Sequence, residues 1–555
     1  PGMKSLPSIV AILIASNSLL AAPAVTPDSK GEYEIARQID QNIRARWKQE
    51  EITPSRRSND AEFIRRLYLD LTGRIPSAQA SQDFITSRDR SKRTKTVEKL
   101  VNTSEAAENW ADLWVGILVG QQLRQQRLER SVLEEWIAKT YRENMPYDVF
   151  VRQLLTAEGY SNENPAVNFA LKFQDSNEAA GAISKIFLGV QIQCAQCHNH
   201  PYEKWTQDDF NGFAAFFSKT QARRERLDAA KFQKALQKKG NNMSMREKME
   251  KAQKVRKMKR RFQVTEMAGG GRRFRRMMGN SSKAKPKFLG AESPSVANFA
   301  KLRPVLADWM TSSDNPYFAK AAVNRIWSHL MGRGIIHPLD DIGENNPPSH
   351  PEVLDLLARD FTEHSFDVKR LLRIIARTST YQLSSRVAYA HKDEPPPDDI
   401  FAWQQLKPLT GEQILRSLVE TTGLRSIKSP KIARNLRTQG RKVLRQFHFA
   451  FATDEQEEVS SFEGTIPQAL LMMNSMLVNE SMRPIPGNTI HSLTNGKSST
   501  NDKITKLFLA GLTRYPSPTE RLYFNRYLRE QKHSVEAWAD LLWSLVNSSE
   551  FMFIH

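Results

Sequence analysis

The chain has two cysteines in 555 residues, and both fall in one pentapeptide, Cys194-Ala195-Gln196-Cys197-His198. A chain with so few thiols cannot be a disulfide scaffold, so its fold must be held together by packing of apolar side chains. Hydrophobic residues make up 40% of the chain and ten are tryptophan, which indicates a globular protein rather than a disordered one. At this length two domains are the default expectation.

The CxxCH string made by these residues is typical of covalent c-type haem attachment. Two thiols three residues apart can reach the two vinyl groups of one porphyrin, and the adjacent imidazole is then placed to ligate the iron. The sequence therefore predicts one haem c held by Cys194 and Cys197, with His198 as the proximal iron ligand.

Two other chemistries fit the same residues. The CxxC spacing also suits a local disulfide or a dithiol redox switch. A metal site could be built from Cys194, Cys197, His198 and His200, although the adjacent Cys197 and His198 are hard to fold onto one tetrahedral ion.

The sequence leaves the sixth iron position undecided. His200 follows His198 too closely to reach the opposite porphyrin face, so a ligand would come from elsewhere, for example His329 or Met331. Alternatively the position is open, which would permit peroxide or other small-molecule chemistry and make the protein a haem enzyme.

An apolar, helix-forming run over residues 177–192 should deliver the motif at the end of a buried helix. Thr206 is then expected to cap a new helix that carries several aromatics on one face. These aromatics could form a hydrophobic wall beside a porphyrin or belong to an ordinary core: Phe210, Phe213, Phe216 and Phe217.

The N-terminus has the pattern of a secretory signal peptide over residues 1–24. A short basic region at Met3-Lys4 precedes an apolar stretch, and small residues ending at Ala24 form an A-x-A cleavage site. The alternative is an uncleaved N-terminal anchor. No later stretch is long and apolar enough to span a bilayer, so we expect an exported protein, periplasmic or at the cell surface of a bacterium.

The net charge of +20 comes almost entirely from one segment. Residues 219–287 contain 24 Lys or Arg and 5 Asp or Glu, which leaves 57 basic and 56 acidic residues for the rest. Residues 228–262 favour helix, and the glycine- and arginine-rich 269–276 favours a flexible loop. The segment is either a solvated, partly disordered insert or a patch for an anionic partner such as acidic polysaccharide. Export argues against nucleic acid.

Periodicity and capping signals predict an all-α protein of two mostly helical domains, over 31–218 and 293–555, separated by a basic, partly disordered insert at 219–292. Ile64, Leu67, Tyr68 and Leu71 recur at helical spacing before Gly73. Capping boxes are predicted to open three helices, at Ser349–Glu352, Thr410–Gln413 and Ser517–Glu520. Sustained period-two alternation is absent, so no substantial sheet is expected.

Long strings of the chain resemble a known pair of domains. LGVQIQCAQCHNHPYEKWTQDDFNGFAAFF and FIRRLYLDLTGRIPS resemble the planctomycete cytochrome C-type domain of exported proteins in Planctomycetes and Verrucomicrobia. NPYFAKAAVNRIWSHLMGRGIIHPLDDIGENNPPSHPEVLDLLARDF, TYQLSS and LLWSLVNSSEFMFIH resemble the planctomycete-specific C-terminal domain that usually accompanies it. The resemblance implies an exported protein with a haem-type CxxCH, and it implies no particular reaction. The basic insert departs from the common pattern.

Weaker candidates lie in the second half. Asp340, Asp341, Glu344 and His350 occupy a polar loop that could form an acid–base or cation site, although turn and capping roles explain them as well. Two tryptophans beside polar residues could stack on sugar or pack in the core: Trp205 and Trp327. P-loop, dinucleotide, GxSxG and HExxH motifs are missing from the sequence.

These observations predict an exported, c-type cytochrome-like protein in electron transfer or haem-based redox chemistry, with a redox partner protein. Whether it is an enzyme stays open. The alternative is an exported, non-redox binding or scaffold protein for anionic polysaccharide, with the two cysteines in a disulfide.

Overall fold

The computed structural model describes residues 29–120, 128–224, 262–267, 284–295, 300–426 and 476–555. The predicted signal peptide and most of the basic segment, including the predicted loop 269–276, lie outside these residues. Helices dominate the described residues, which confirms the prediction of a mostly helical protein.

The elements are numbered in chain order among the described residues. The α-helices are α1 Ser29–Gln49, α2 Asp60–Thr72, α3 Ala78–Thr86, α4 Lys92–Leu100, α5 Ser104–Val119, α6 Arg130–Arg142, α7 Tyr147–Thr156, α8 Val167–Ala170, α9 Ser176–Ile183, α10 Gln207–Ala214, α11 Leu302–Met310, α12 Phe318–Met331, α13 Pro351–Glu363, α14 Val368–Arg377, α15 Gly411–Thr421, α16 Met476–Ser481, α17 Thr489–Asn495, α18 Thr500–Leu512, α19 Pro518–Glu530, α20 Val535–Val546 and α21 Ser549–Met552. The strands are β1 Gly159–Tyr160, β2 Thr220–Arg224, β3 Phe262–Glu266, β4 Lys407–Pro408 and β5 Phe553–Ile554. A π-helical turn spans Ser184–Leu188, and 3₁₀ turns span Gln193–Gln196, Ala215–Phe217, Tyr389–His391, Asp398–Ile400 and Leu424–Ser426.

Several helix boundaries lie where the sequence predicts them. Helix α2 ends at Gly73, whose φ of 65° is a left-handed conformation that glycine adopts at low cost. The predicted capping boxes at Thr410 and Ser517 are both present, each with its side chain accepting from a backbone amide three residues on.

The capping box predicted at Ser349 is wrong. The N-cap of α13 is His350, no side chain caps the helix, and Pro351 takes the first helical position. The Ser349 hydroxyl lies 3.2 Å from Nδ1 of His350 instead. Proline at the first turn needs no partner for its nitrogen, so α13 begins without a box.

The largest buried apolar cluster draws residues from both sides of the basic segment. Tyr147 of α7 stacks on Phe318 of α12 with ring centroids 5.3 Å apart, and Trp114 of α5 stacks on Phe187 at 6.3 Å. A second cluster joins Leu69 and other residues near α2 to the helices after residue 409. The two sequence blocks therefore share buried surface, and their division into separate domains stays a prediction.

A small sheet forms where the basic segment meets the helical body. Strand β3 pairs antiparallel with β1 on one side and with β2 on the other, in the order β1-β3-β2. Arg224 and Phe262 are register partners at one end of the β2–β3 pair. The all-α expectation missed this sheet because β1 has two residues and β2 shows no alternation, so the short alternation in β3 is not sustained along the chain.

Candidate functional site

The chain reaches the CxxCH motif through a helix that ends earlier than the sequence predicts. Helix α9 continues as the π-helical turn Ser184–Leu188 and stops at Gly189, whose φ is 65°. The predicted helix over 177–192 is therefore too long, and the motif follows an irregular connection. Gly189 is required there, since a Cβ would lie 2.7 Å from Cδ1 of Ile342.

The motif itself starts in the 3₁₀ turn Gln193–Gln196. Ile192 and Ala195 are fully buried and anchor the turn, whereas Cys194 and Cys197 are exposed and both thiols are free. Residues three apart are eclipsed in a 3₁₀ turn, and Cys197 follows it with right-handed helical dihedrals. Both cysteines are thus accessible from solvent within one short turn.

The hydrogen bond of His198 fixes which ring nitrogen is free. Its Nδ1 lies 2.7 Å from the carbonyl oxygen of Asn199. A carbonyl only accepts, so Nδ1 must carry the proton and donate it. In the neutral form of the ring this leaves the lone pair on Nε2, which is the arrangement that metal-ligating histidines adopt.

His200 has the opposite hydrogen-bond pattern. Its Nδ1 accepts from the backbone amides of Tyr202 at 3.3 Å and Glu203 at 2.9 Å, so the proton of the neutral ring is on Nε2. Its own amide donates to the Trp205 carbonyl at 2.8 Å. His200 therefore closes the loop after the motif and offers no free lone pair, which argues against it as a ligand.

Helix α10 holds the motif from the other side. The side-chain amide of Gln207 donates to the backbone carbonyls of Gln196 at 3.2 Å and Cys197 at 3.1 Å. The backbone N–H of Gln207 donates to Oδ1 of Asn199 at 3.0 Å. Thr206 caps this helix as predicted. Sequence reasoning missed the role of Gln207, for which the only signal was its place at a predicted helix start.

The surface around the thiols is polar. Gln193, Gln196, Asn199 and Gln207 are exposed, as is Tyr202, at 82%. The predicted aromatic wall is not at this surface, because the aromatics of α10 and the following turn are buried in the core: Phe210, Phe213, Phe216 and Phe217. The Phe213 ring meets those of Phe216 and Phe217 edge to face. Of the two interpretations given to these rings, core packing is the one confirmed.

The residues present fit a covalently bound haem in two respects. Cys194 and Cys197 offer accessible sulfurs within one short turn, and His198 offers a free Nε2 beside them. The alternative metal site needs several ligands close together. Within the described ranges, no group of three or more His, Cys, Asp or Glu side chains is arranged to hold a metal ion.

The two suggested sixth ligands lie in other surroundings. Nε2 of His329 is 3.0 Å from the Asp70 carbonyl, and burial, with Lys407 nearby, lowers the pKa of the ring. Met331 is 1% exposed in the core. The Asp70 contact already uses one ring nitrogen of His329.

The polar loop suggested as an acid–base site does not gather its residues around one point. Asp340 pairs with Lys185, and Glu344 pairs with Lys204. His350 is buried at the start of α13, and burial lowers its pKa to about 4. The remaining member, Asp341, accepts a hydrogen bond at its backbone carbonyl. Asp340 and Glu344 therefore make ion pairs with lysines, where the alternative interpretation predicted turn and capping roles.

Neither suggested sugar platform is available. Trp205 is 4% exposed and meets Tyr317 edge to face, and Trp327 is fully buried against Phe401. An indole must expose a face to stack on a sugar ring, so both tryptophans belong to the core.

Within the described residues, every helix is too short or too polar to cross a bilayer. Residues 38–222 match the family model PSCyt2, a protein of unknown function (DUF1549), and residues 302–528 match PSD1, a protein of unknown function (DUF1553). No curated protein and no solved structure matches the chain. Most of the basic segment falls between the two matched ranges. The chain therefore carries the planctomycete-type pair of these two domains of unknown function.

Proposed function

We propose that this protein is exported and carries one haem c, bonded through thioethers to Cys194 and Cys197 and ligated by Nε2 of His198. The observation that carries the proposal is the hydrogen bond from His198 to the Asn199 carbonyl, which frees Nε2 next to two accessible thiols. The role that follows is electron transfer or haem-based redox chemistry.

The attachment needs no oxidant or reductant. Each thiol adds across one vinyl double bond, so that its sulfur bonds to one carbon and its hydrogen goes to the next. When bound, the haem supplies one-electron redox chemistry whose potential depends on axial ligand and burial. The protein supplies the fixed ring of His198 and the carbonyl contacts of Gln207 that hold the turn in place.

Exposure of the motif favours exchange of electrons with a partner protein at the surface. A partner would meet uncharged amides at Gln193, Gln196 and Gln207, with the exposed ion pair of Lys204 and Glu344 following the motif. Export is supported by the signal-like residues 1–24, and places the mature protein in the periplasm or at the cell surface.

A haem stain on a denaturing gel tests the proposal, using protein exported from a host that matures c-type cytochromes. The wild-type band should stain and carry the added mass of one porphyrin, and the double variant Cys194→Ala, Cys197→Ala should lose both. A wild-type chain from such a host with unmodified thiols, or with a disulfide between them, would refute the haem assignment.

Two histidine variants separate ligation from loop structure. His198→Asn should keep the covalent group and lose the spectrum of an axial histidine. His200→Asn is the matched control, since the Asn oxygen can still accept from the amides that Nδ1 of His200 binds. It should keep both attachment and spectrum, and equal spectra in the two variants would remove His198 from the assignment.

A second candidate function rests on the charge of the basic segment, a net +19 over residues 219–287. It is binding of anionic polysaccharide, without redox chemistry, through this segment. Retention of the protein on a sulfated matrix should then fall steeply with salt and disappear when residues 225–261 and 268–283 are replaced by short linkers, which keeps the paired strands β2 and β3. Retention that survives removal would exclude the segment as the binding site.

A further inference from the structure

The loop at residues 340–345 contacts the CxxCH segment at both of its ends. Before the motif, the amide of Ile342 donates to the Gly189 carbonyl at 2.8 Å, and its side chain fills the space that a Cβ on Gly189 would need. This backbone contact joins the region matched by PSD1 to the region matched by PSCyt2.

Asp340 makes two side-chain contacts with the segment before the motif. Its Oδ2 lies 2.6 Å from Nζ of Lys185 in the π-helical turn, and its Oδ1 accepts from the Gln191 side chain at 3.1 Å. The Asp340 side chain is 9% exposed and that of Lys185 is 39% exposed, so the carboxylate lies at the edge of the buried interior and its lysine partner reaches solvent. Gln191 is three residues before Cys194, and its side chain is therefore fixed just ahead of the motif.

The same loop also holds the chain after the motif. Nδ2 of Asn345 donates to the Tyr202 carbonyl at 2.6 Å and to Oε1 of Glu203 at 3.0 Å. The Glu203 carboxylate lies over Gly343, where a Cβ would come within 2.8 Å of it. An exposed pair between Lys204 and Glu344, 3.1 Å apart, adds a weaker contact.

We propose that the 340–345 loop sets the position of the CxxCH segment and that Asp340 is its main positioning residue. The positioning role does not require haem, and only its effect on a bound haem rests on the proposed function. In both cases the orientation of the turn that bears the two cysteines depends on a carboxylate from the region matched by PSD1. Loosening Asp340 should disturb the geometry at His198 without removing any ligand.

Hydrogen–deuterium exchange of the full chain, produced without haem maturation, tests the positioning directly. In Asp340→Ala the amides of Val190, Ala195 and His200, which are hydrogen-bonded in the segment, should exchange about tenfold faster than in the wild type. Asp355→Ala is the matched control, because it removes a lysine pair of similar length (2.7 Å, to Lys320) in α13. Its exchange over 189–205 should equal that of the wild type.

A charge swap provides the rescue. Lys185→Asp combined with Asp340→Lys restores the ion pair with reversed signs but not the acceptor for Gln191, so it should return exchange over 189–205 part of the way to the wild-type rate. Where Asp340→Ala does not fold, Gln191→Ala removes only one of the two Asp340 contacts and should give a smaller increase at the same amides.

The haem-loaded protein provides the second measurement. Asp340→Ala should shift the reduction midpoint potential and the axial-ligand spectrum, whereas Asp355→Ala should change neither. Unchanged exchange over 189–205 in folded Asp340→Ala would overturn the positioning role, whether or not haem is bound. Faster exchange in a chain that never acquires haem would support the positioning role and refute the haem assignment alone.

Discussion

At the residue scale, two histidines that lie two positions apart have opposite roles. Nδ1 of His198 donates to a carbonyl, whereas Nδ1 of His200 accepts from two amides. The sequence predicts the first as a ligand from its place in CxxCH, but it cannot reveal the tautomers, because these depend on which backbone groups the folded loop presents.

Gly189→Ala should lower the free energy of unfolding by about 2 kcal/mol. Alanine is strained at a φ of 65°, and its Cβ would press on Ile342. Gly116→Ala is the control: it lies in the interior of α5 with no atom within 4 Å of a new Cβ, and should stabilise by about 0.5–1 kcal/mol. Chemical denaturation measures both, and equal effects would contradict the strain at Gly189.

Asp112 should make stability depend on pH. Burial raises its pKa to about 7, with Arg416 opposing the shift and Glu412 and Glu134 adding to it. Because the folded pKa is raised, this contribution is fully present below about pH 4 and is lost as pH rises through about 7.

The variant Asp112→Asn should therefore keep more of its stability between about pH 4 and pH 7 than the wild type does. The slopes should differ by up to about 1.4 kcal/mol per pH unit. Denaturation midpoints measured across this range check the prediction, and parallel curves for the two proteins would contradict it.

At the element scale, local signals predict a helix boundary only where the residues that form it lie within one turn. The boxes at Thr206, Thr410 and Ser517 depend on residues within one turn, so they can be read from the sequence. The end of the helix before CxxCH depends on a π-helical turn and on the approach of Ile342, which lies far away in the chain. The sequence of residues 177–192 predicts neither the π-helical turn nor the contact with Ile342.

Ser517→Ala should lower the free energy of unfolding by about 1 kcal/mol, since the amide of Glu520 loses its acceptor at the start of α19. Ser349→Ala is the natural comparison, because its side chain caps no helix, and its effect should be clearly smaller. Equal losses in thermal or chemical denaturation would contradict the assignment of the two caps.

At the scale of the whole molecule, the sequence predicts helical content and the motif but not how distant segments meet. Contacts such as Tyr147 with Phe318, or Asp340 with Lys185, join residues far apart in the chain. Hydrophobic periodicity predicts which face of an element is buried, but not which distant residues that face contacts. The role of the 340–345 loop was missed for this reason: its carboxylates were predicted as a possible site of their own, whereas they hold the predicted site.

One buried ion pair joins three distant segments. Arg303 of α11 pairs with Glu266 of β3 at 3.2 Å and donates to the carbonyls of Leu155 and Ala157 at the end of α7. Glu266→Ala removes the buried carboxylate partner of this guanidinium and leaves it the more exposed Glu158, 3.8 Å away, so the unfolding free energy should fall by about 3 kcal/mol.

The exposed pair of Lys301 with Glu158 serves as the control for this prediction. Lys301 is 45% exposed on its side chain, so Lys301→Ala should cost less than about 1 kcal/mol. Urea titrations of both variants check the difference. A loss in Glu266→Ala as small as that in Lys301→Ala would show that the buried pair does not couple these segments.

The register of β2 with β3 allows most of the charged segment, residues 225–261, to be replaced by a short turn. Arg224 and Phe262 are paired across the two strands, so the residues that flank 225–261 lie next to each other. A two-residue Asn-Gly hairpin turn can close such a gap. The shortened chain would lack 14 basic and 4 acidic residues. Binding to an anionic matrix and attachment of a cofactor could then be measured independently of each other.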